Sequence, residues 1–350
     1  MTTAGNQPIR TAVFGFGTSG RIFHAPFIHA DPDFTLSAVV TGNDERARQA
    51  RETYPDTEVV ASTADVFDRA DELDLVVIGT PPETHADLAE QALKAGLDVI
   101  VDKPFAVTSE DGRRLIALAG RLGRRLSVYQ NRRWDGDFLT LRRVLDRGTL
   151  SDVARFESRF EVFTPQPRLS WKSTTGIDAG GGVLHDLGAH LIDQALALNG
   201  PLDPAVLPYA ELRSLREGAA APDDAFVALH HASGVISHLW MSTLCPQPGP
   251  RFRVLTPTGG FVTHGLDPQE AQLKSGMLPL DEGFGETDRR ARVGAAPEES
   301  TIPIERGDYA GFYRATAQWI HDNGPAPVDP RDAVAALEII EELLAGPAGA

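Results

Sequence analysis

The chain has 350 residues, of which 42% are hydrophobic and 23% charged, with a net charge of −16 and a single cysteine. That length suits two domains, and the mixture builds an ordinary packed core, which excludes a mainly disordered chain and a coiled coil. The acidic balance excludes a general nucleic-acid binder, and no apolar run reaches the roughly eighteen residues of a membrane span. Cys245 permits no intramolecular disulfide, and residues 1–10 carry no basic-then-apolar signal segment, so a cytoplasmic protein is expected.

From Ile9 to Tyr129 short apolar strands alternate with helical stretches. Strands are expected at 10–14, 36–41, 58–61, 73–79, 98–101 and 126–129. Helices are expected near 21–29, 44–53, 64–68, 86–95 and 109–122. Gly96 and Gly123 follow two of these helices, and Thr108 is placed to cap a third. The runs at 75–78 and 99–101 are apolar on both faces, as in a parallel sheet covered by helices on each side. Residues 1–130 therefore read as a doubly wound α/β domain.

Gly15-Phe16-Gly17-Thr18-Ser19-Gly20 has the G-x-G-x-x-G spacing, with a strand running in and a helix leaving. Gly15 permits the tight turn, Gly17 lets the backbone approach a pyrophosphate, and Gly20 lets helix and strand pack closely. Free N–H groups at the helix start then meet the phosphates. About twenty residues on, an NAD enzyme places a carboxylate for the ribose 2′-hydroxyl. This chain has Val40-Thr41-Gly42-Asn43, with Arg46 and Arg48 behind. Nothing there repels a 2′-phosphate, so NADP is expected, with NAD as the alternative.

Asp102-Lys103-Pro104 stands at the carboxyl end of the fifth strand, where open α/β sheets place their ligands, so Lys103 is expected over the cleft. After Asn131 the pattern changes, and residues 131–350 read as an α+β domain with an open, mostly antiparallel sheet. A helix is expected near 136–147. Residues 153–163 alternate Arg155, Glu157, Arg159 and Glu161 with Phe156, Ser158, Phe160 and Val162, a half-exposed strand. Strand pairs follow at 225–231 with 235–243 and at 251–256 with 260–263. Helices are expected near 183–198, 309–321 and 331–344, and residues 279–300 read as a surface loop.

Within 183–198, Asp186 and His190 lie one helical turn apart and share a face, and Asp193 is also within reach. A carboxylate-oriented imidazole beside Gly180-Gly181-Gly182 suits a general base; an ordinary surface ion pair is the plain alternative. His230, His231 and His238 have no supporting cysteine or acidic spacing, so no metal is expected.

Taken in order, the glycine loop, Thr80-Pro81-Pro82-Glu83-Thr84-His85, Asp102-Lys103-Pro104 and the stretch Gly180 to His190 resemble the glucose–fructose oxidoreductase/inositol dehydrogenase/rhizopine catabolism (Gfo/Idh/MocA) family along nearly the whole chain. The segments at 20–26, 127–135, 137–140 and 186–194 are similar to its NADP-dependent scyllo-inositol dehydrogenases. The resemblance implies an amino-terminal Rossmann domain, an open carboxyl-terminal sheet that commonly mediates homodimers or homotetramers, a bound NAD(P), and a polyol or sugar substrate. It implies cofactor contacts from Gly15, Phe16, Gly17, Thr18, Ser19, Gly20, Thr41, Asn43, Thr80, Pro81, His85, Asp102, Lys103, Trp171 and Lys172. Lys103 would hydrogen-bond the reacting oxygen, His190 would exchange its proton, and Asp186 would orient substrate and histidine. Asn131 and Arg132 would contact substrate, with Arg168, Trp171, Tyr309 and Tyr313 as further pocket candidates. Two positions depart from the pattern: Asp102 replaces Glu, and Asn43 replaces an arginine. The alternatives are an aldose or anhydro-sugar reductase of the same fold and a non-catalytic NAD(P)-binding sensor or corepressor.

Overall fold

A computed structural model describes residues 7–166, 176–177 and 180–346. The chain divides into two units. The first takes residues up to 131 together with 269–284 and 308–334; the second takes 132–268, 285–307 and the residues from 335 on.

In the first unit β1 (Ile9–Phe14), β2 (Phe34–Val40), β3 (Glu58–Val60), β4 (Leu75–Ile78), β5 (Asp98–Asp102) and β6 (Leu126–Tyr129) form one sheet in the order β3-β2-β1-β4-β5-β6. Every pair is parallel. This is the doubly wound order, with its direction reversing between β1 and β4. All four residues of β4 are buried, because helices cover both faces. The helix Ser109–Leu122 starts where Thr108 Oγ1 accepts from the Asp111 N–H and stops at Gly123, whose φ of 62° is left-handed.

Two segments of this unit come from the part of the chain that the sequence reading gives to the second domain. The helix Ala310–Asp322 brings an aromatic face that needs burial. Tyr313 stacks on Phe27 at 6.2 Å, and Phe312 meets Tyr129 edge-on at 4.8 Å. Ser127 Oγ donates to the Val328 carbonyl at 2.8 Å.

In the second unit, strands form an eight-stranded sheet: β7 (Arg155–Glu161), β8 (Tyr209–Arg213), β9 (Asp224–His230), β10 (Ile236–Ser242), β11 (Phe252–Leu255), β12 (Gly260–Thr263), β13 (Arg290–Gly294) and β14 (Ser300–Pro303). The order is β14-β13-β12-β11-β7-β10-β9-β8, antiparallel except where β10 meets β7. Leu184, Leu187, Leu191 and Ile192 of the helical segment that follows Val183 pack in the same core as Phe156, Leu239 and Met241 of the sheet.

Two expectations are corrected. Residues 279–300 are not all loop, since β13 pairs with β12 and β14; its alternation is too short and arginine-rich to show in sequence. Glu157 is not on a solvated face: it is buried, with Arg155, Arg159 and Arg253 around its carboxylate at 3.0–3.5 Å. Among the described residues no helix is long and apolar enough to cross a membrane.

Candidate active site

β1 runs directly into Gly15, where φ is 90°. A Cβ there would stand 2.9 Å from the Gly79 carbonyl oxygen, and a Cβ on Gly20 only 1.9 Å from the Gly15 oxygen. Both glycines are therefore fixed by packing. Gly17 differs: the nearest atom to its absent Cβ is Arg46 Nη1, at 3.8 Å. This open flank, closed on either side by tight glycines, fits the pyrophosphate of a dinucleotide. The Phe16 ring is buried against Tyr54, leaving only its backbone for a ligand, whereas Thr18 is exposed.

Ser19 opens a π-helical turn, Ser19–His24, and donates from Oγ to Asp102 Oδ2 at 2.5 Å. Asp102 Oδ1 accepts the N–H of Lys103 at 2.8 Å. The carboxylate thus ties the glycine loop to the lysine at the end of β5. His85 is buried and both its ring nitrogens face carbonyl oxygens at 2.8 Å, those of Thr80 and Pro104. Its ring is a strut between two loops of the expected cofactor site. Thr80 Oγ1 meets Thr84 Oγ1 at 2.6 Å, and the Pro81 carbonyl accepts from Thr84 Oγ1 at 2.7 Å, which shapes the first of those loops.

At the end of β2, Asn43 caps the helix Asp44–Thr53 by accepting from the Arg46 N–H, and Thr41 Oγ1 accepts from the Asn43 N–H at 3.4 Å. The two arginines differ. Arg48 is held by Glu45 and Glu52 at 2.6 and 2.8 Å. Arg46 instead extends its guanidinium beside Gly17.

In the second unit His190 is buried near the start of the helix Ala189–Asn199. Asp186 lies in the π-helical turn Leu184–Gly188 that feeds it. Asp193 pairs with Arg133, whose Nη2 and Nε donate to its two oxygens at 2.6 and 2.8 Å. Behind that helix Gln194 Nε2 donates to the Arg132 carbonyl at 2.7 Å and Gln194 Oε1 accepts from Arg251 Nη2 at 2.8 Å. Arg132 lies over the Phe160 ring and pairs with Asp135 at 3.5 Å. Burial beside Asp267 and Asp137 pushes the Asp135 carboxyl up, to about 8, against the pull of Arg132 and Arg251. This buried polar cluster was invisible in sequence, because its members are spread from Arg132 to Asp267.

Asn131 is buried at the end of the first unit's main segment. Tyr309 and Tyr313 are wholly buried, which makes them core residues of the first unit. His231 is structural, its ring nitrogens each 2.7 Å from the Gly200 carbonyl and Ser237 Oγ. Arg168, Trp171 and Lys172 lie outside the described residues.

Strand order, glycine loop and the anchored Asp102–Lys103 turn together define a dinucleotide-binding Rossmann protein. Residues 9–130 match the model of the oxidoreductase family with an NAD-binding Rossmann fold, and residues 138–262 match the GFO/IDH/MocA C-terminal domain. The chain belongs to the Gfo/Idh/MocA family and is an NAD(P)-dependent oxidoreductase. It is 40% identical to the uncharacterized oxidoreductase YdgJ of Escherichia coli K12, over 95% of this chain and 94% of that one. It is 30% identical to the NADP(+)-dependent scyllo-inositol 2-dehydrogenase IolW of Bacillus subtilis, over 95% and 92%. The YPO2259 putative oxidoreductase structure from Yersinia pestis superposes with a TM-score of 0.89 at 33% identity, over 98% and 96%.

Proposed function

We propose that this protein moves a hydride between a secondary alcohol of a cyclic polyol or sugar and a nicotinamide cofactor, with scyllo-inositol as the leading substrate. The observation that carries the reading is the Ser19–Asp102 hydrogen bond, which fixes Lys103 at a strand end beside the dinucleotide loop. The bound nicotinamide supplies the hydride acceptor or donor. The dinucleotide's pyrophosphate would be held at Gly15, Gly17, Ser19 and Gly20, with Thr80 and Pro81 lining the approach to the nicotinamide.

Removing hydride from an alcohol carbon requires its hydroxyl proton to leave as the carbonyl forms. An imidazole exchanges protons near neutral pH, which suits His190 to that transfer. An ammonium keeps its charge there, which suits Lys103 to stabilise the negative oxygen. Asp186 orients the imidazole, and Asn131 and Arg132 contact the substrate. Arg46 beside Gly17, with no carboxylate at 41–43, favours NADP over NAD. A homodimer or homotetramer in the cytoplasm completes the reading. Phe226 and Trp240, partly exposed with ring centroids 5.0 Å apart on neighbouring strands, offer an apolar face for self-association.

The test is absorbance at 340 nm with NADP⁺ and NAD⁺ against inositols and aldoses. Turnover of scyllo-inositol with NADP⁺ is expected. Lys103→Ala and His190→Ala should each lower kcat by about 10²–10⁴-fold while the nucleotide still binds. Near-wild-type turnover in either variant refutes the role given to that residue, and turnover of aldoses alone moves the substrate to the reductase reading.

A further inference from the structure

The first unit buries an imidazole that the proposed chemistry leaves unused. His24 closes the π-helical turn that begins in the glycine loop, and it has no solvent exposure. Its Nδ1 lies 2.7 Å from Tyr313 Oη. Burial holds the Tyr313 phenol well above its ordinary value and pushes the His24 imidazole down, to about 4. The phenol therefore keeps its proton and donates it to Nδ1, so the ring carries its own hydrogen on Nε2. Among the described residues Nε2 has no hydrogen-bond partner. A buried donor in that state requires a physical reason.

The direction of that edge supplies one. A Cβ at Gly79 would stand 3.4 Å from His24 Cδ2, the carbon bonded to Nε2, and 2.9 Å from Ser19 Oγ. Ser19 Oγ is the donor to Asp102. Asp102 pairs in register with Tyr129, whose ring centroid is 4.5 Å from that of the imidazole. The Asp102 charge draws a proton toward the imidazole, and His85 opposes it. Gly79, lacking a side chain, thus leaves room for both the Cδ2 side of the imidazole and the Ser19 hydroxyl that donates to Asp102.

We propose that His24 is a positioning residue for the Asp102–Lys103 turn: Tyr313 fixes its tautomer, and its Nε2–H is held as a second neutral donor, beside Ser19, for the Asp102 carboxylate. This rests on Lys103 facing the reacting oxygen. Asp102 holds the Lys103 backbone N–H, so the orientation of the carboxylate bears on the backbone of the turn that carries the lysine. Ser19 lies in the glycine loop, so its hydroxyl would be shared between Asp102 and a dinucleotide phosphate held there. His24 Nε2–H would then be the donor left to the carboxylate.

Full-length protein carrying ¹⁵N-histidine tests the geometry without turnover. NMR should show His24 as the Nε2–H tautomer, still neutral below its ordinary 6.5. Its Nε2 resonance should move in Asp102→Asn and on adding NADP⁺, and Tyr313→Phe should mix the tautomers. An Nδ1–H tautomer, or an Nε2 resonance indifferent to Asp102→Asn, overturns the proposal.

Activity then separates positioning from packing. His24→Gln keeps a donor at the reach of Nε2 and should preserve kcat with scyllo-inositol and NADP⁺. His24→Asn ends at the level of Nδ1 and should lose roughly 100-fold in kcat at unchanged KM for NADP⁺. Equal kcat in the two variants at equal thermal stability overturns the assignment. If the wild type turns over no polyol, the functional reading fails, while the NMR result still decides the role of His24.

Discussion

Ser19 and Asp102, 83 residues apart in the chain, share a 2.5 Å hydrogen bond that joins the glycine loop to the turn carrying Lys103. A hydrogen bond to a charged group contributes about 1.5–3 kcal/mol. Ser19→Ala removes one of the two hydrogen bonds that anchor the carboxylate, and Asp102→Ala removes both. Steady-state kinetics should show kcat falling roughly tenfold in Ser19→Ala and about 100-fold in Asp102→Ala. Equal, small effects would show that the turn holds itself without the carboxylate.

The doubly wound half was legible because its signals are local. Gly15, Gly17 and Gly20 follow an apolar strand, and the Ser109 helix starts at a recognisable cap, Thr108. The site's internal connections were not legible, since they join residues far apart in sequence. Tyr313 reads as a pocket aromatic until its helix is seen against Phe27 and His24. Glu157 reads as solvated until three arginines close around it. Asp193, three residues from His190, reads as within its reach, and its pair with Arg133, 60 residues away, is seen only in the fold. Strand β13 alternates two exposed arginines with the buried Ala291 and Val293 and gains its order from pairing on both sides.

Cofactor choice should divide Arg46 from Arg48. The Arg48 guanidinium is occupied by Glu45 and Glu52, whereas Arg46 lies beside Gly17. Losing one charge-assisted contact of about 1.5–3 kcal/mol raises KM roughly 10- to 100-fold. Arg46→Ala should do this for NADP⁺ and leave the KM for NAD⁺ nearly unchanged; Arg48→Ala should change neither. Parallel losses for both nucleotides in Arg46→Ala would place this arginine at the pyrophosphate instead.

Asp193 should prove structural. Its bidentate pair with Arg133 is almost wholly buried on the carboxylate side, and breaking a buried pair from one end costs about 3–5 kcal/mol. Asp193→Ala should therefore lower the urea midpoint sharply while the pH dependence of kcat keeps its shape. A displaced pH profile with little change in stability would instead give Asp193 a part in setting the His190 proton.

Stability should depend on pH through His24. Its folded value is about 4 against an ordinary 6.5, because burial disfavours the imidazolium. Between these values the unfolded chain binds the proton and the folded chain does not, so stability rises with pH there. The contribution is fully present above 6.5 and falls away as pH drops toward 4, amounting to about 3 kcal/mol over the window. Burial lowers His185 and His231 in the same direction, while Asp135, raised to about 8, opposes them by losing its contribution as pH climbs. Wild type alone would mix these slopes, so the comparison is with His24→Gln, which keeps the others. Urea unfolding of the two proteins at intervals between pH 4 and 7 should show their difference shrinking by that amount as pH falls. Parallel curves would mean that the imidazole is protonated in the fold, and that the Tyr313 phenol is not the group donating to it.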